Sequence, residues 1–199
     1  MPESGVGALV LAAGQGSRYR EHLNEDKLRA PCRVDSDSTS VMEATLMALQ
    51  GATEQSLVVV REDNRGLREW LAQNEQRLSF TTLAVTSRGL GHSLAQAVAH
   101  QVSARGWLVV LGDMPYVRGE TLRRIAAAIR EDALVVPVHQ GRRGHPRGIG
   151  SAYRDALLTL DGDQGAQALF AGNLLIELDV DDPGILQDID RPQDRLPGC

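Results

Sequence analysis

Two glycine-rich segments and two groups of acids are the parts of this chain whose residue types and order could do chemistry. The first glycine segment, Leu11-Ala12-Ala13-Gly14-Gln15-Gly16-Ser17-Arg18, overlaps the end of the apolar run from Ala8 to Ala13. Glycines let the backbone turn sharply and bring several N–H groups close to phosphate oxygens, while Ser17 and Arg18 add a hydroxyl and a guanidinium fork. An ordinary tight turn between a strand and a helix would read the same way, so this segment alone leaves phosphate binding open. A dinucleotide fold asks for G-x-G-x-x-G, but Tyr19 stands where the third glycine is needed for close helix packing. The Walker pattern G-x-x-x-x-G-K-[ST] occurs nowhere in the chain.

The first acid, Asp113, follows the buried-looking run Trp107 to Leu111 within Gly112-Asp113-Met114-Pro115. An acid at the carboxyl end of a strand, ahead of a chain-reversing proline, points into the same crevice as the glycine segment. Mg²⁺ takes few carboxylates, several waters and the substrate's own phosphates, so one well-placed Asp suffices as an anchor. A helix cap is the bland alternative, but Asp113 lies too far upstream of the helix expected near Gly119. The second group is Asp188-Ile189-Asp190-Arg191-Pro192-Gln193-Asp194. On an extended segment Asp188 and Asp190 share one face and could complete a metal site. Asp190 would equally serve as the cap of a short helix opening at Pro192.

The second glycine segment, Ser87-Arg88-Gly89-Leu90-Gly91-His92-Ser93, opens a helix, and its small residues permit close approach of a ligand or simply an unobstructed helix start. Arg143-Gly144-His145-Pro146-Arg147 offers two guanidinium groups for a phosphate. His145 could act as a general acid or base, although a lone His beside Pro is more often a turn or core residue.

Taken in order, Leu11-Ala-Ala-Gly14-x-Gly16-Ser17-Arg18, Lys27-Leu28-x-Ala30-Pro31, Leu111-Gly-Asp113-Met-Pro and Asp188-Ile-Asp190-x-Pro-x-Asp194 resemble the motifs of nucleotidyltransferases, and are most similar to the molybdenum-cofactor cytidylyltransferase (MobA-like) group. The resemblance runs from about Val6 to Asp194 and includes Gly91-His-Ser93-Leu. It implies that Leu11, Ala12, Ala13, Gly14, Gly16, Ser17, Arg18 and Lys27 cradle an NTP triphosphate. It implies further that Gly91 and Ser93 lie by base and ribose, that Asp113 with Asp188 and Asp190 holds Mg²⁺, and that Arg143, His145 and Arg147 face a phosphorylated acceptor. Arg18, Lys27 and Asp113 are the implied catalytic groups, CTP the implied nucleotide, molybdopterin the implied acceptor, and a molybdoenzyme or its chaperone an implied protein partner. The chain departs from the group in a longer step from Arg18 to Lys27, and in Gln167 where an arginine often follows Gly165-Ala166. Asp163 reads as a helix N-cap and Asp194 as structural. A sugar 1-phosphate or polyol phosphate acceptor, another NTP, an NAD(P)-dependent oxidoreductase and a nucleotide-binding protein without turnover are the alternatives.

These residues need a scaffold, and the hydropathy pattern supplies one. Apolar runs at 8–13, 56–60, 80–85, 107–111 and 134–138 suit strands buried on both faces. Between them, 40–50, 64–73, 92–104 and 121–130 carry apolar residues at helical spacing. Alternation of this kind predicts an α/β, Rossmann-like fold, a mostly parallel twisted sheet with helices on both faces. After Val138 the pattern loosens, with helices expected near 151–158 and after Asp163, a strand near 174–178, and a small antiparallel addition to the sheet. The polar stretch 35–40 reads as a solvated loop ending in a helix N-cap.

With 199 residues, 42% of them hydrophobic, one domain is expected, its part up to about residue 115 binding the NTP and the remainder the acceptor. A net charge of −5 and 4% aromatic residues argue against a nucleic-acid partner. Two cysteines form no metal-ligand spacing. The N-terminus lacks the features of an export signal and no window reaches membrane-spanning length, so a cytoplasmic protein without a membrane partner is expected.

Overall fold

The computed structural model describes residues 3–14, 19, 25–34 and 37–195. Its central strand, β1 (Glu3–Ala12), lies between β4 (Thr53–Arg61) and β6 (Gly106–Leu111), and all three run parallel. β5 (Thr81–Val85) extends the sheet beyond β4. On the other side come β9 (Arg147–Gly150), β7 (Leu134–His139) and β10 (Ile176–Asp179), and the two-residue β8 (Arg142–Arg143) pairs with β7. The order across the sheet is β10-β7-β9-β6-β1-β4-β5. β9 is antiparallel to both β6 and β7, while β10 is parallel to β7. The fold is therefore α/β and Rossmann-like, with a mostly parallel sheet, and the strands that run antiparallel within it, β8 and β9, fall after Val138 where the hydropathy pattern loosens.

The near-continuous apolar runs are explained by burial on both faces. Ala8, Val10 and Ala12 of β1, with Val58 and Val60 of β4, face one apolar layer; Leu9, Leu11, Leu57 and Val59 face the other. The first layer is closed by α1 (Val41–Leu49), α2 (Arg65–Leu78) and α4 (Gly119–Ala128). The second is closed by α3 (Leu90–His100), α5 (Arg154–Leu158) and α6 (Gln167–Gly172). Full burial of each Val or Leu side chain contributes about 1.5–3 kcal/mol, so the sheet's interior dominates stability.

One stretch departs from the sequence expectation. Part of the segment read as a solvated loop, 35–40, is strand: β3 (Asp37–Ser40) pairs antiparallel with β2 (Pro31–Val34) in the register Pro31↔Ser40 and Cys32↔Thr39. Cys32 is fully buried, which anchors this ribbon to the core. Polarity marked the stretch as exposed, whereas a strand can be exposed and still satisfy its backbone through a partner. Ser40 is nonetheless the N-cap of α1, accepting from the Glu43 N–H at 3.2 Å. α3 likewise begins at Leu90 and ends at His100, earlier at both ends than the periodicity suggested.

The C-terminal segment is fastened by Asp182, whose side chain is 2% exposed. Its carboxylate accepts from the Arg118 N–H at 2.9 Å, the Thr121 hydroxyl at 2.7 Å and the Gly184 N–H at 3.0 Å. Gly184 is needed there because a Cβ would fall 2.1 Å from the Tyr116 carbonyl oxygen. This junction holds the start of α4 against the segment that carries Asp188 and Asp190. Replacing Asp182 with Ala strands three donors, two of them backbone, and should cost about 3 kcal/mol of stability. Urea unfolding of Asp182→Ala measures this; a change below about 1 kcal/mol would show the junction to be dispensable.

Candidate functional site

The carboxyl ends of β1 and β6 are held level by their register, Leu11 opposite Leu111, and by the Gly112 N–H donating to the Leu11 carbonyl at 3.0 Å. β1 is the strand from which the order departs in both directions, the position where open α/β sheets bind ligands. A cavity of about 540 Å³ opens there. Leu11, Ala12, Ala13, Gly14, Lys27, Ser93 and Asp113, all singled out from the sequence, line it together. Gly16, Ser17 and Arg18 lie outside the described residues.

The centre of the site is an ion pair. Lys27 Nζ donates to Asp113 Oδ2 at 2.6 Å and lies 3.5 Å from Asp190 Oδ1. Lys27 and Asp113 side chains are only 13% and 19% exposed, so solvent screens them weakly. Burial pushes the Lys27 ammonium toward neutrality, but the Asp113 and Asp190 carboxylates outweigh it and hold its pKa above the usual lysine value. Burial raises the Asp188 pKa, its backbone hydrogen bond lowers it, and the Asp113 and Asp190 charges raise it further. The terminal motif reaches Asp113 through its backbone, since the Ile189 N–H donates to the Asp113 carbonyl at 2.9 Å. Asp194 accepts from the Asp190 and Arg191 N–H groups at 3.0 and 2.6 Å, and so holds the turn. The side chain at the first end of that turn is Arg191, not the Asp190 cap considered from sequence.

Asp113 Oδ1 is buried and has no hydrogen-bond partner. An orphaned carboxylate oxygen costs free energy unless a cation or donor satisfies it. The donor set fits Mg²⁺, a hard ion that binds oxygen. Among the described residues no group of three or more His, Cys, Asp or Glu forms a ready-made metal cage. A metal here would be shared between Asp113, a neighbouring carboxylate and the substrate phosphates.

Sequence reasoning missed the residues that place Lys27. Asp26 Oδ1 accepts from the Leu28 N–H at 3.0 Å, and its Oδ2 accepts from Asn64 Nδ2 at 2.6 Å. Asn64 is at the same time the N-cap of α2, accepting from the Leu67 N–H at 3.2 Å. One helix cap thus tethers the lysine turn from 38 residues away. The cap itself was visible in sequence, as an Asn before a periodic run; its tertiary partner was not.

On the other wall, Ser87 and Ser93 hydroxyls meet at 2.7 Å, and Ser93 Oγ also donates to the Gly89 carbonyl at 3.1 Å. Gly89 has φ +138°, and a Cβ on it would fall 2.4 Å from the Gly162 carbonyl. Gly91 lines neither cavity; its N–H donates to Gly162 O at 2.8 Å, binding α3 to the loop at 161–166. Asp163, read from sequence as an N-cap, is not one. α6 opens at Gln167 behind Ala166, which has no side-chain cap bond, and Asp163 instead lies against Gly89 and lines the cavity. The loop is held by packing on Gly89, so its Asp never reaches a free helical N–H.

A second cavity of about 270 Å³ adjoins the first, and Leu11, Leu90, Leu111 and Asp163 line both. His145 and Arg147 line it, whereas Arg143 is exposed, lines neither cavity and pairs with Glu177 at 2.7 Å. The Arg147 guanidinium carbon lies 4.6 Å from the centroid of the Phe170 ring. Burial lowers the Arg147 pKa, and the neighbouring Arg143 charge lowers it further. Burial, with the Arg147 charge, pushes the His145 pKa down to about 4, so its imidazole is neutral at pH 7.

The family profile of the MobA-like NTP transferase domain matches residues 8–179. A bifunctional protein GlmU of Azotobacter vinelandii is 34% identical over 148 residues, 74% of this chain and 30% of its own. The chain thus spans under a third of the length of that relative. The crystal structure of Rv0371c from Mycobacterium tuberculosis superposes with a TM-score of 0.77 at 27% identity, covering 95% of both chains, and the same protein has been solved as a manganese complex. A nucleotidyl transferase from Methanothermobacter thermautotroptrophicus shares the fold, with a TM-score of 0.75 at 24% identity over 95% of this chain and 93% of its own.

The depressed His145 pKa has a consequence for stability. Between pH 6.5 and about 4 the unfolded chain binds a proton that the folded chain does not, so stability falls as pH falls through that window. From pH 7 to pH 5 the loss should be about 2 kcal/mol. Urea unfolding of wild type and His145→Gln at both pH values isolates this share; a difference that stays constant with pH would place an ordinary imidazole at residue 145.

Proposed function

The chain belongs to the MobA-like NTP transferase family and is a nucleotidyltransferase, and on that premise we propose that it transfers CMP from CTP to a phosphorylated small-molecule acceptor with release of pyrophosphate. The observation that carries this reading is the Lys27–Asp113 pair, with its orphaned carboxylate oxygen, at the level carboxyl ends of β1 and β6. A triphosphate laid along Ala12, Ala13 and Gly14 would bring its negative charge to Lys27, with Gly16, Ser17 and Arg18 completing the cradle. Base and ribose would lie by Ser87 and Ser93, and the preference for cytosine rests on the sequence resemblance.

An acceptor phosphate oxygen would attack the α-phosphorus in line while the bond to the β-phosphate oxygen breaks, and pyrophosphate leaves with that bond's electron pair. A phosphate monoester is already a competent nucleophile at pH 7, so no general base is required and catalysis rests on alignment and charge. Lys27 and Arg18 would stabilise the charge growing on the leaving group. Asp113, with Asp188 and Asp190, would hold Mg²⁺, which supplies Lewis-acid stabilisation of the phosphoryl oxygens when bound. The acceptor would enter from the side of His145 and Arg147. Molybdopterin as that acceptor is supported by the sequence resemblance, as is a molybdoenzyme or its chaperone as the recipient of the product.

A thermal-shift comparison of CTP, GTP, ATP, UTP and NAD(P)H, each with and without Mg²⁺, tests the nucleotide: ligands that bind only the folded chain raise its midpoint. The expected result is Mg²⁺-dependent stabilisation led by CTP, and stabilisation by NAD(P)H without metal would sink the transferase reading. In a pyrophosphate-release assay, Asp113→Ala should lose at least about 100-fold in turnover while remaining folded. Turnover like wild type in that variant would remove the mechanism.

A further inference from the structure

Arg147 lies on β9 opposite Val109 of β6, with its guanidinium in the second cavity. Its Nε is buried without a partner, and among the described residues its guanidinium makes no hydrogen bond or ion pair. The Phe170 ring braces one face of it. No neighbouring acid neutralises it: Glu177 is engaged with Arg143, and Asp163, which lines the same cavity, makes no ion pair with Arg147. A part-buried guanidinium whose Nε–H is buried and meets no acceptor is costly, and an anionic ligand in the cavity would satisfy it. An aromatic face softens that cost but satisfies none of the N–H donors.

The position of this charge is as informative as its lack of a protein partner. Val109 stands on β6, which ends at Leu111, and Asp113 follows four residues after Val109, a step of about 13 Å if the chain stayed extended. Lys27 and Asp113 line the first cavity only, and Arg147 the second only. One phosphate therefore does not satisfy both centres. Between them the floor is apolar, formed by Leu94, Val109, Leu111 and Ile149.

Resting on the transferase reading above, we propose that Arg147, braced on Phe170, is the receptor for a second anionic group of the acceptor, remote from the phosphate that attacks. The acceptor is then a compact molecule with a phosphate monoester at one end, an anionic group at the other and an apolar or aromatic body between. Binding both ends fixes the phosphate's direction of approach to the nucleotide. Arg147 is in this account a specificity-determining residue, bonded to the substrate but not to the reacting atoms.

The probes are 4-carboxyphenyl phosphate, which has both anions on an aromatic body, and phenyl phosphate, which lacks the second. Their dissociation constants are measured on the 199-residue chain by NMR, through the arginine Nε–H resonance that Arg147→Met lacks and, in both proteins, through backbone amides of β9. The carboxylate-bearing probe should bind wild type at least 10-fold more tightly than phenyl phosphate and shift the Arg147 Nε–H resonance. In Arg147→Met, which keeps an unbranched stem against Phe170, that advantage should fall below 3-fold. Equal affinities in wild type, or an advantage that survives in Arg147→Met, would overturn the proposal. Should the Met variant fail to fold, the Nε–H shift in wild type decides alone. Each titration is run with and without Mg²⁺ and CTP: silent Ala13 and Gly14 amides on adding CTP would fail the transferase reading, whereas the probe comparison without nucleotide still judges Arg147.

Discussion

Everything at the candidate site depends on two strand ends being level. β1 and β6 are paired residue for residue from Val6–Gly106 to Leu11–Leu111, and the ladder continues one step beyond the sheet through the Gly112 N–H and the Leu11 carbonyl. Because both strands are buried on both faces, a slip of one residue would exchange two apolar layers, so the register is locked by packing as well as by hydrogen bonds. Asp113 is therefore delivered beside the first glycine segment by the rigid part of the molecule. Lys27 has no such strand behind it. It is fixed instead by Asp26 and by the cap of α2, and by the Val41 and Met42 N–H groups bonding to Ala30 and Leu28.

The pairing of Lys27 with Asp113 also describes the site before substrate enters. A lysine that leans on carboxylates keeps its charge in a part-buried place. On the proposed reading an incoming triphosphate would offer the lysine a stronger partner, and a cation brought with it would offer one to Asp113. The ion pair thus holds Lys27 charged and in place, and on the proposed reading ligand binding would exchange its partners.

How much of this was legible in the sequence differs by element. The strand runs around Leu9, Val59 and Val109 were readable because burial on two faces leaves a continuous apolar signal, and Asp113 was readable because it stands at the end of such a run. β3 was not, since its pairing with β2 leaves no mark in composition. Asp163 was misread because a local rule for caps competed with a tertiary contact, the close approach of Gly162 to Gly89. Gly91 was read as lying beside a ligand's base and ribose, and in the folded chain its N–H is taken by the Gly162 carbonyl. Asp26 and Asn64 illustrate the general limit: each has a plain local role, and their joint role exists only once residues 38 apart meet.

The antiparallel strand β9 has a consequence for the order in which the molecule can be assembled. β7 and β6 are not neighbours in the sheet; β9 stands between them and bonds to both. A growing chain that has emerged through β7 has its central strands but leaves the outer edge of β6 unpaired, and β7 has nothing to join. Closure waits for residues 147–150, and β10 can dock only after that. The side of the sheet carrying the second cavity is thus the last to acquire a floor, and its formation relies on contacts distant in sequence, which slow folding. Until then β6, one of the most apolar strands, is a bare edge, and protection of that edge during synthesis is a demand that this topology places on the cell.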